Sequence, residues 1–500
     1  MMRGFNMTDA IVIGAGVTGA ALARELCRWR LKIEVLEKGS DICAGASKGN
    51  SATVHAGHDA AYGTKKATYN VAGNAMFDRL CEELSVPFSR NGMVVFAASE
   101  ADMAEVYRLK RNADLNGVPG VRVMHRGELL EQEGFFGEEV TGGLYAPTSG
   151  IVCPYSLVIA MCENAAVNGA AFHLNTEVRH IERIEGGYRI DTHRGAFEAK
   201  YVFNCAGTHA DDINNMISSR KFAILPRKGE HLILDKKLAP YVKATISQTP
   251  RGLPGGGHTK GMGMMPTADG TILLGCDAHK AADKDETSTT AIGTGEILAY
   301  FERNWRHLPI SRVYPEFPRQ MVIGAFAGLR PHPDTDDFIL GEAEDAPGFF
   351  NLAGIESPGL TAAPAIARDI ARQAAEKYNF KANPDFNPMR ECKKPFRGMN
   401  TEERREAIVS DPNYGRIVCR CEQVTRAEIL AAIRSPIGAR TVNAVKMRTR
   451  AGMGRCQGGF CGPEVVRLLS EELGIPMAEV TLCGEGSEII PYETCVPEGS

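Results

Sequence analysis

No stretch of this 500-residue chain is both long and apolar enough to cross a bilayer. The most apolar run, Ala10–Ala23, has fourteen residues and is interrupted by Gly14, Gly16 and Gly19. A charge bias is also missing. With 57 basic against 61 acidic residues the formal charge is −4, which gives no electrostatic case for nucleic acid or an anionic membrane as the main partner. Met1–Thr8 lacks the basic segment, apolar stretch and small-residue cleavage site of a signal peptide, so a cytoplasmic protein is expected. The fourteen cysteines are then expected as thiols or metal ligands, not as disulfides. There is no internal repeat and no low-complexity segment. The apolar and charged fractions, 44% and 24%, are ordinary for a folded protein. The length exceeds what one hydrophobic core serves, which predicts two or three domains.

What the chain does have is glycine, 53 of them, as suits a backbone that must approach a large ligand closely. The residues from Asp9 to about Tyr378 mix βαβ patterns with strand-rich stretches. Asn379–Tyr414, with Pro384, Pro388, Pro395 and Pro412, reads as a linker opposed to regular structure (residues 379–414). A compact unit follows over residues 415–485, then an irregular tail, 486–500.

The first βαβ unit carries a phosphate-binding pattern. Ala10–Gly14 reads as a buried strand, Gly14-Ala-Gly16-Val-Thr-Gly19 as a turn into the helix Ala20–Trp29, and Lys32–Leu36 as a second strand ending at Glu37. Gly14 permits the tight turn, Gly16 lets backbone meet a pyrophosphate at the helix N-terminus, and Gly19 lets helix and strand pack. Glu37 is placed to accept from the adenosine ribose hydroxyls. The motif alone does not separate FAD from NAD.

Six further segments do. Gly45-Ala-Ser47-Lys-Gly-Asn50-Ser51 with Val54-His55-Ala56-Gly57, Gly143–Pro147 with Gly150–Pro154, Val202–Gly207, Pro266–Gly270, Gly328-Leu-Arg330-Pro331 and Gly354–Thr361 occur in one order. Together they resemble the D-amino-acid oxidase/glycerol-3-phosphate dehydrogenase superfamily of FAD enzymes. The resemblance implies an α/β fold: a Rossmann-like FAD-binding domain (about 1–90, 145–225 and 325–378) interleaved with an α+β, strand-rich substrate domain (about 91–144 and 226–324). It implies flavin contacts at Ser47, Asn50, Ser51, Val178, Ala206, Gly207, Gly328, Gly354, Gly359, Leu360 and Thr361. Thr361–Tyr378 has helical apolar spacing, with Pro364 in its first turn. A helix N-terminus there would favour negative charge on reduced flavin.

Oxidising an alcohol requires a base for the hydroxyl proton and cations for an anionic substrate. The resemblance carries over His231, in Lys228-Gly-Glu-His231, and His55 as active-site histidines, and Arg330 as the grip on a phosphate or carboxylate. The chain departs from membrane-bound glycerol-3-phosphate dehydrogenases, which have Gly-Gly-Lys-Leu-Thr-Thr where this sequence reads Gly354-Ile-Glu-Ser-Pro-Gly-Leu-Thr361. Arg251, Lys260 and Arg319 are alternative cations, equally readable as solvated surface charges.

Cys419-Arg-Cys421 and, after thirty-four residues, Cys456-Gln-Gly-Gly-Phe-Cys461 bring four thiols together, enough for zinc or a [2Fe–2S] cluster. The C-x-C spacing disfavours zinc. Thr425-Arg-Ala-Glu428 is a capping box before one helix, and Pro463 opens another that stops at Gly474, so both pairs are expected to precede helix N-termini. With Val424-Thr425 and Arg448–Gly458, this stretch resembles the bacterioferritin-associated-ferredoxin-like [2Fe–2S] domain. The remaining ten cysteines read as small buried hydrophobes.

The expected function is an FAD-dependent dehydrogenase acting on a small anionic hydroxy compound, first of all sn-glycerol 3-phosphate. Electrons would leave through the cluster to a protein or quinone-linked partner. The alternatives are a 2-hydroxy acid such as L-2-hydroxyglutarate or a secondary amine as substrate, or a non-catalytic electron-transfer subunit.

Overall fold

The computed structural model describes residues 7–132, 140–249 and 262–490. Arg251, Lys260 and Cys495 lie outside the described residues, as does the tail from 491. The first sheet has a parallel core in the order Ala171–His173, Ile33–Leu36, Thr8–Ile13, Gly195–Asn204, Phe349–Ala353. Val178–Ile184 and Gly187–Thr192 extend it as an antiparallel meander. Ala10, Ile11 and Val12 are fully buried, because a parallel sheet covered on both faces leaves no polar side.

Three helices cover one face: Val17–Leu26, Pro154–Val167 and Gly359–Tyr378. In the last, Ala362, Ala363, Ile366, Ala367, Ile370 and Ala374 recur every three or four residues and are all buried. Alanines let the neighbouring helices approach closely, and each buried isoleucine contributes about 1.5–3 kcal/mol.

The second sheet is nine-stranded and draws on Met93–Ala97, Gly142–Ala146 and the strands from Arg227–Leu234 to Val322–Arg330. Arg227–Leu234 is an interior strand of it, paired antiparallel with Ile272–Gly275 on one side and Val322–Arg330 on the other. The helix Ala291–Asn304 packs on this sheet through Ile297, Tyr300 and Phe301.

The segment 379–414 corrects the expectation of an irregular linker. Its prolines fall at 384, 388, 395 and 412, leaving a proline-free window in which Asn400 and Glu403 form a capping box for the helix Thr401–Ser410. The preceding stretch is strapped to the first domain: Asn383 N–H donates to the Arg28 carbonyl at 2.7 Å, and the Arg28 guanidinium lies 4.5 Å from the Phe386 ring centre. The C-terminal unit packs helices Arg426–Arg434, Val442–Thr449 and Gly462–Leu473 around Ile429, Val445, Leu468 and Leu469. No helix among the described residues is long and apolar enough to cross a membrane.

Candidate active site and cluster site

The glycine turn has the geometry its spacing requires. Gly14 has φ +100°, open to glycine at little cost. A Cβ at Gly19 would stand 1.9 Å from the Gly14 carbonyl oxygen. Gly19→Val therefore separates helix from turn, and the purified variant is expected to retain no FAD, which its visible spectrum reports. Glu37 is buried and accepts from the Ala15 and Gly39 N–H groups, each at 2.7 Å. Burial pushes its carboxyl up despite those donors, so further donors such as ribose hydroxyls fit there. Ala206 and Gly207 follow the adjacent strand, and the Gly14 turn is packed against Cys205 and Ala206. Val178 packs in the core beside Ile11, Ile13 and Leu36.

Between the two sheets lies a cavity of about 480 Å³, walled by Ser47, Asn50, Ser51, His55, His231, Gly328, Arg330, Gly359 and Leu360. The two backbones of its wall touch: a Cβ on Gly328 would meet the Gly49 carbonyl oxygen at 1.9 Å. Ser47 Oγ accepts from Val17 N–H at 2.8 Å and so holds the wall to the first helix. Asn50 donates to the Ser47 carbonyl and accepts from Ala52 N–H, which fixes the turn. The cavity, the glycine turn and the buried Glu37 fit a long dinucleotide-type cofactor. Gly354 sits at φ +67° against Pro333, before the helix. Thr361 is not in the cavity wall. Its hydroxyl accepts from His55 N–H at 2.9 Å, so it positions the His55 loop.

His231 is buried, stacked 4.8 Å from the Phe326 ring, with Nε2 3.0 Å from Ser51 Oγ. Its Nδ1 is buried without a hydrogen-bond partner. His55 faces the same cavity, with Nε2 3.5 Å from Ser357 Oγ. Arg330 donates through Nη2 to Cys276 Sγ at 2.6 Å and to the Asp277 carbonyl at 3.2 Å, while Nη1 is buried with no hydrogen-bond partner. Arg319 is remote from these groups, largely exposed and paired with Glu302.

Sequence reasoning missed Cys276 and Arg227. Cys276 is not an inert buried cysteine; it lies in the cavity wall. Burial pushes its thiol up, but the Arg330 guanidinium and the His231 ring more than offset this and bring it to about 6. Alkylation by iodoacetamide should therefore contain a component with a midpoint near 6 that an anionic substrate suppresses, because the thiolate persists above that pH. Arg227 was legible from strand period: residues 227, 229 and 231 alternate onto the cavity, while Lys228 and Glu230 face away toward Ser288 and Thr290. Of the other scattered cysteines, Cys392 and Cys483 are exposed, contrary to the expected burial.

The four C-terminal cysteines do converge. Cys421 and Cys456 have Sγ atoms 3.6 Å apart, and the Cys461 thiol interacts with Cys419, lowering the latter to about 6. A Cβ on Gly454 would stand 2.2 Å from Cys421 Cβ, so only glycine lets the second loop close on the first. This set of four sulfur donors fits an iron–sulfur cluster. Cys461 caps the helix Gly462–Leu473 directly, as expected. Cys421 does not precede a helix directly: the short strand Val424–Thr425 intervenes before Arg426–Arg434.

The module is tied to both sheets by buried charge. Arg448 forms a fork with Asp41 at 2.6 and 2.8 Å; Arg450 reaches Asp269 at 2.7 Å and Glu422 at 2.8 Å. Tyr155 donates to Met453 Sδ at 3.4 Å.

Comparisons with known proteins agree with this arrangement. A family model for FAD dependent oxidoreductases matches residues 9–373, and one for the BFD-like [2Fe-2S] binding domain matches residues 417–471. A glycerol 3-phosphate dehydrogenase of Caloramator mitchellensis is 44% identical over 98% of this chain and 99% of its own length. A glycerol 3-phosphate oxidase of Mycoplasma pneumoniae is 27% identical over 75% of this chain and 96% of its own. The solved structure of the L-alpha-glycerophosphate oxidase from that organism, with FAD bound, superposes with a TM-score of 0.71 at 25% identity, covering 78% of this chain and all of that one. The chain belongs to the FAD dependent oxidoreductase family and carries, behind that body, a BFD-like [2Fe–2S] binding domain.

Proposed function

We propose that the protein oxidises sn-glycerol 3-phosphate to dihydroxyacetone phosphate and passes the electrons through its cluster to a partner acceptor. The observation that carries this reading is the Arg330 Nη1 group, buried at the cavity without a hydrogen-bond partner, with Arg227 and Lys280 in the same wall. A buried guanidinium donor left unmade costs about 1–3 kcal/mol, which an anionic substrate oxygen recovers. The near full-length relative named above supports phosphate over carboxylate.

Bound FAD supplies the two-electron acceptor for the substrate C–H, and the [2Fe–2S] cluster the one-electron exit. The chain's own residues bind, orient and deprotonate. Arg330 holds the phosphate in register. Ser51 Oγ stands 3.0 Å from His231 Nε2; in the tautomer with the proton on Nε2, Nδ1 is left to take the hydroxyl proton, and stacking on Phe326 keeps that ring in place. His55 lines the same cavity beside Ser357, where it meets the substrate's remaining hydroxyl. On the module, Cys421 is exposed and Phe460 is 83% exposed beside Cys461, which favours electron exit from that side. The setting in this reading is the reducing cytoplasm, where the ligand thiols stay available for iron.

Anaerobic flavin bleaching with a substrate panel tests the assignment. Glycerol 3-phosphate is expected to bleach the flavin faster than L-2-hydroxyglutarate or a secondary amine; absence of bleaching by glycerol 3-phosphate contradicts it.

A further inference from the structure

Along the same wall, beyond Arg330, lies a polar cluster that the oxidation chemistry does not use, and of its members His279 lines the cavity. Asp277, His279 and Glu296 each direct one ligand atom inward, and the three atoms all lie within 4.8 Å of one another. His279 Nε2 is 2.9 Å from Glu296 Oε2 and 3.5 Å from Asp277 Oδ2. Atoms bound to one ion at about 2.0–2.2 Å stand roughly 3–3.5 Å apart, a spacing that small shifts of these three side chains reach.

Asp277 makes this more than a surface ion pair. It is 3% exposed, and its Oδ2 is buried with no hydrogen-bond partner. Its other oxygen accepts from Glu230 N–H at 2.6 Å, which fixes the carboxylate so that Oδ2 points at His279. A Cβ at Gly293 would lie 2.4 Å from that oxygen, so the first turn of helix Ala291–Asn304 leaves it room. His279 Nε2 lies closer to Glu296 and leaves Asp277 Oδ2 without a donor, at the cost of an unpaired buried acceptor. A doubly charged ion neutralises both carboxylates and fills the position that no donor occupies.

We propose that Asp277, His279 and Glu296 bind a divalent first-row transition-metal ion of the Zn²⁺ or Mn²⁺ type. One imidazole and two carboxylates are the donor set such ions take. The ion joins helix Ala291–Asn304 to the segment 276–280, whose Asp277 carbonyl accepts from Arg330. It therefore positions the substrate-gripping arginine through the carbonyl that Arg330 leans on.

Mn²⁺ is the selective probe, because the thiolates of the cluster site disfavour it. Oxidised holoenzyme is titrated with MnCl₂ and free Mn²⁺ is followed by its EPR signal. The expected result is one saturable ion per chain, weakened at least tenfold in both His279→Gln and Glu296→Gln, with a rise in Tm on adding Mn²⁺ only in the wild type. Both variants alter half-exposed side chains, and unchanged flavin and iron content verifies that they fold. Absence of saturable binding by the wild type, or binding as tight in both variants, overturns the proposal.

Discussion

Arg330→Gln lowers kcat/KM for glycerol 3-phosphate by about 10²–10³-fold, with FAD and iron content unchanged. The magnitude follows from removing one partner of a buried charge pair, about 3–5 kcal/mol, reduced by the amide's remaining hydrogen bonds. Arg330 sits where a strand of the substrate sheet ends, its fork split between Cys276 and the Asp277 carbonyl on one side and the empty-handed Nη1 on the other. Arg330→Lys restores the charge but not the fork, so it recovers only part of the loss. A second readout separates binding from misfolding. Losing the guanidinium removes the principal attraction holding the Cys276 thiol at about 6, so the alkylation midpoint moves up toward the ordinary 9.0. A variant with full activity, or with an unmoved Cys276 midpoint, contradicts the assignment of Arg330.

Breaking the Arg448–Asp41 fork uncouples the cluster from the flavin without stopping substrate oxidation. The Arg448 side chain is 4% exposed and Asp41 13%, so removing either leaves a buried charge unpaired at a cost of about 3–5 kcal/mol. The module stays anchored through Ile437, buried in the first domain's core, and Met447 against it, so the loss is of orientation and not of docking. Arg448→Ala also deletes its bonds to the Ala444 and Ile437 carbonyls within the module. Asp41→Asn is therefore the cleaner variant, since it keeps those bonds and removes only the pairing charge. In Asp41→Asn, flavin reduction by substrate stays within about twofold of wild type while electron delivery to a one-electron acceptor falls about tenfold. Equal losses in both half-reactions would show that the fork serves the fold and not the transfer.

How far the sequence could be read depended on how local the chemistry was. The Gly14–Gly19 turn, Glu37 and the capping box at Thr425 are short-range devices, and their spacing alone states what each must do. The four cysteines were legible for the same reason, as two tight pairs with a distinctive separation. Arg448 and Arg450 lay inside a quoted motif, yet their roles were hidden, because Arg448 meets Asp41 across 407 residues. Cys276 had no local mark: only the pairing of Arg227–Leu234 with both Ile272–Gly275 and Val322–Arg330 brings it under Arg330. Thr361 sat in a flavin-like motif but is turned to the His55 backbone, a choice of face that helix packing makes. In the segment 379–414, proline count misled where proline position would have served: the helix Thr401–Ser410 occupies the gap between them.

The central claim is that substrate electrons enter at the cavity beside Arg330 and His231 and leave through Cys419, Cys421, Cys456 and Cys461. Its most direct test is to add glycerol 3-phosphate alone to oxidised holoenzyme under anaerobic conditions, following the visible spectrum and the low-temperature EPR spectrum together. The account predicts bleaching of the flavin accompanied by the signal of a reduced [2Fe–2S] cluster. An oxidised flavin with a silent cluster, or bleached flavin beside a cluster that stays oxidised, would contradict it.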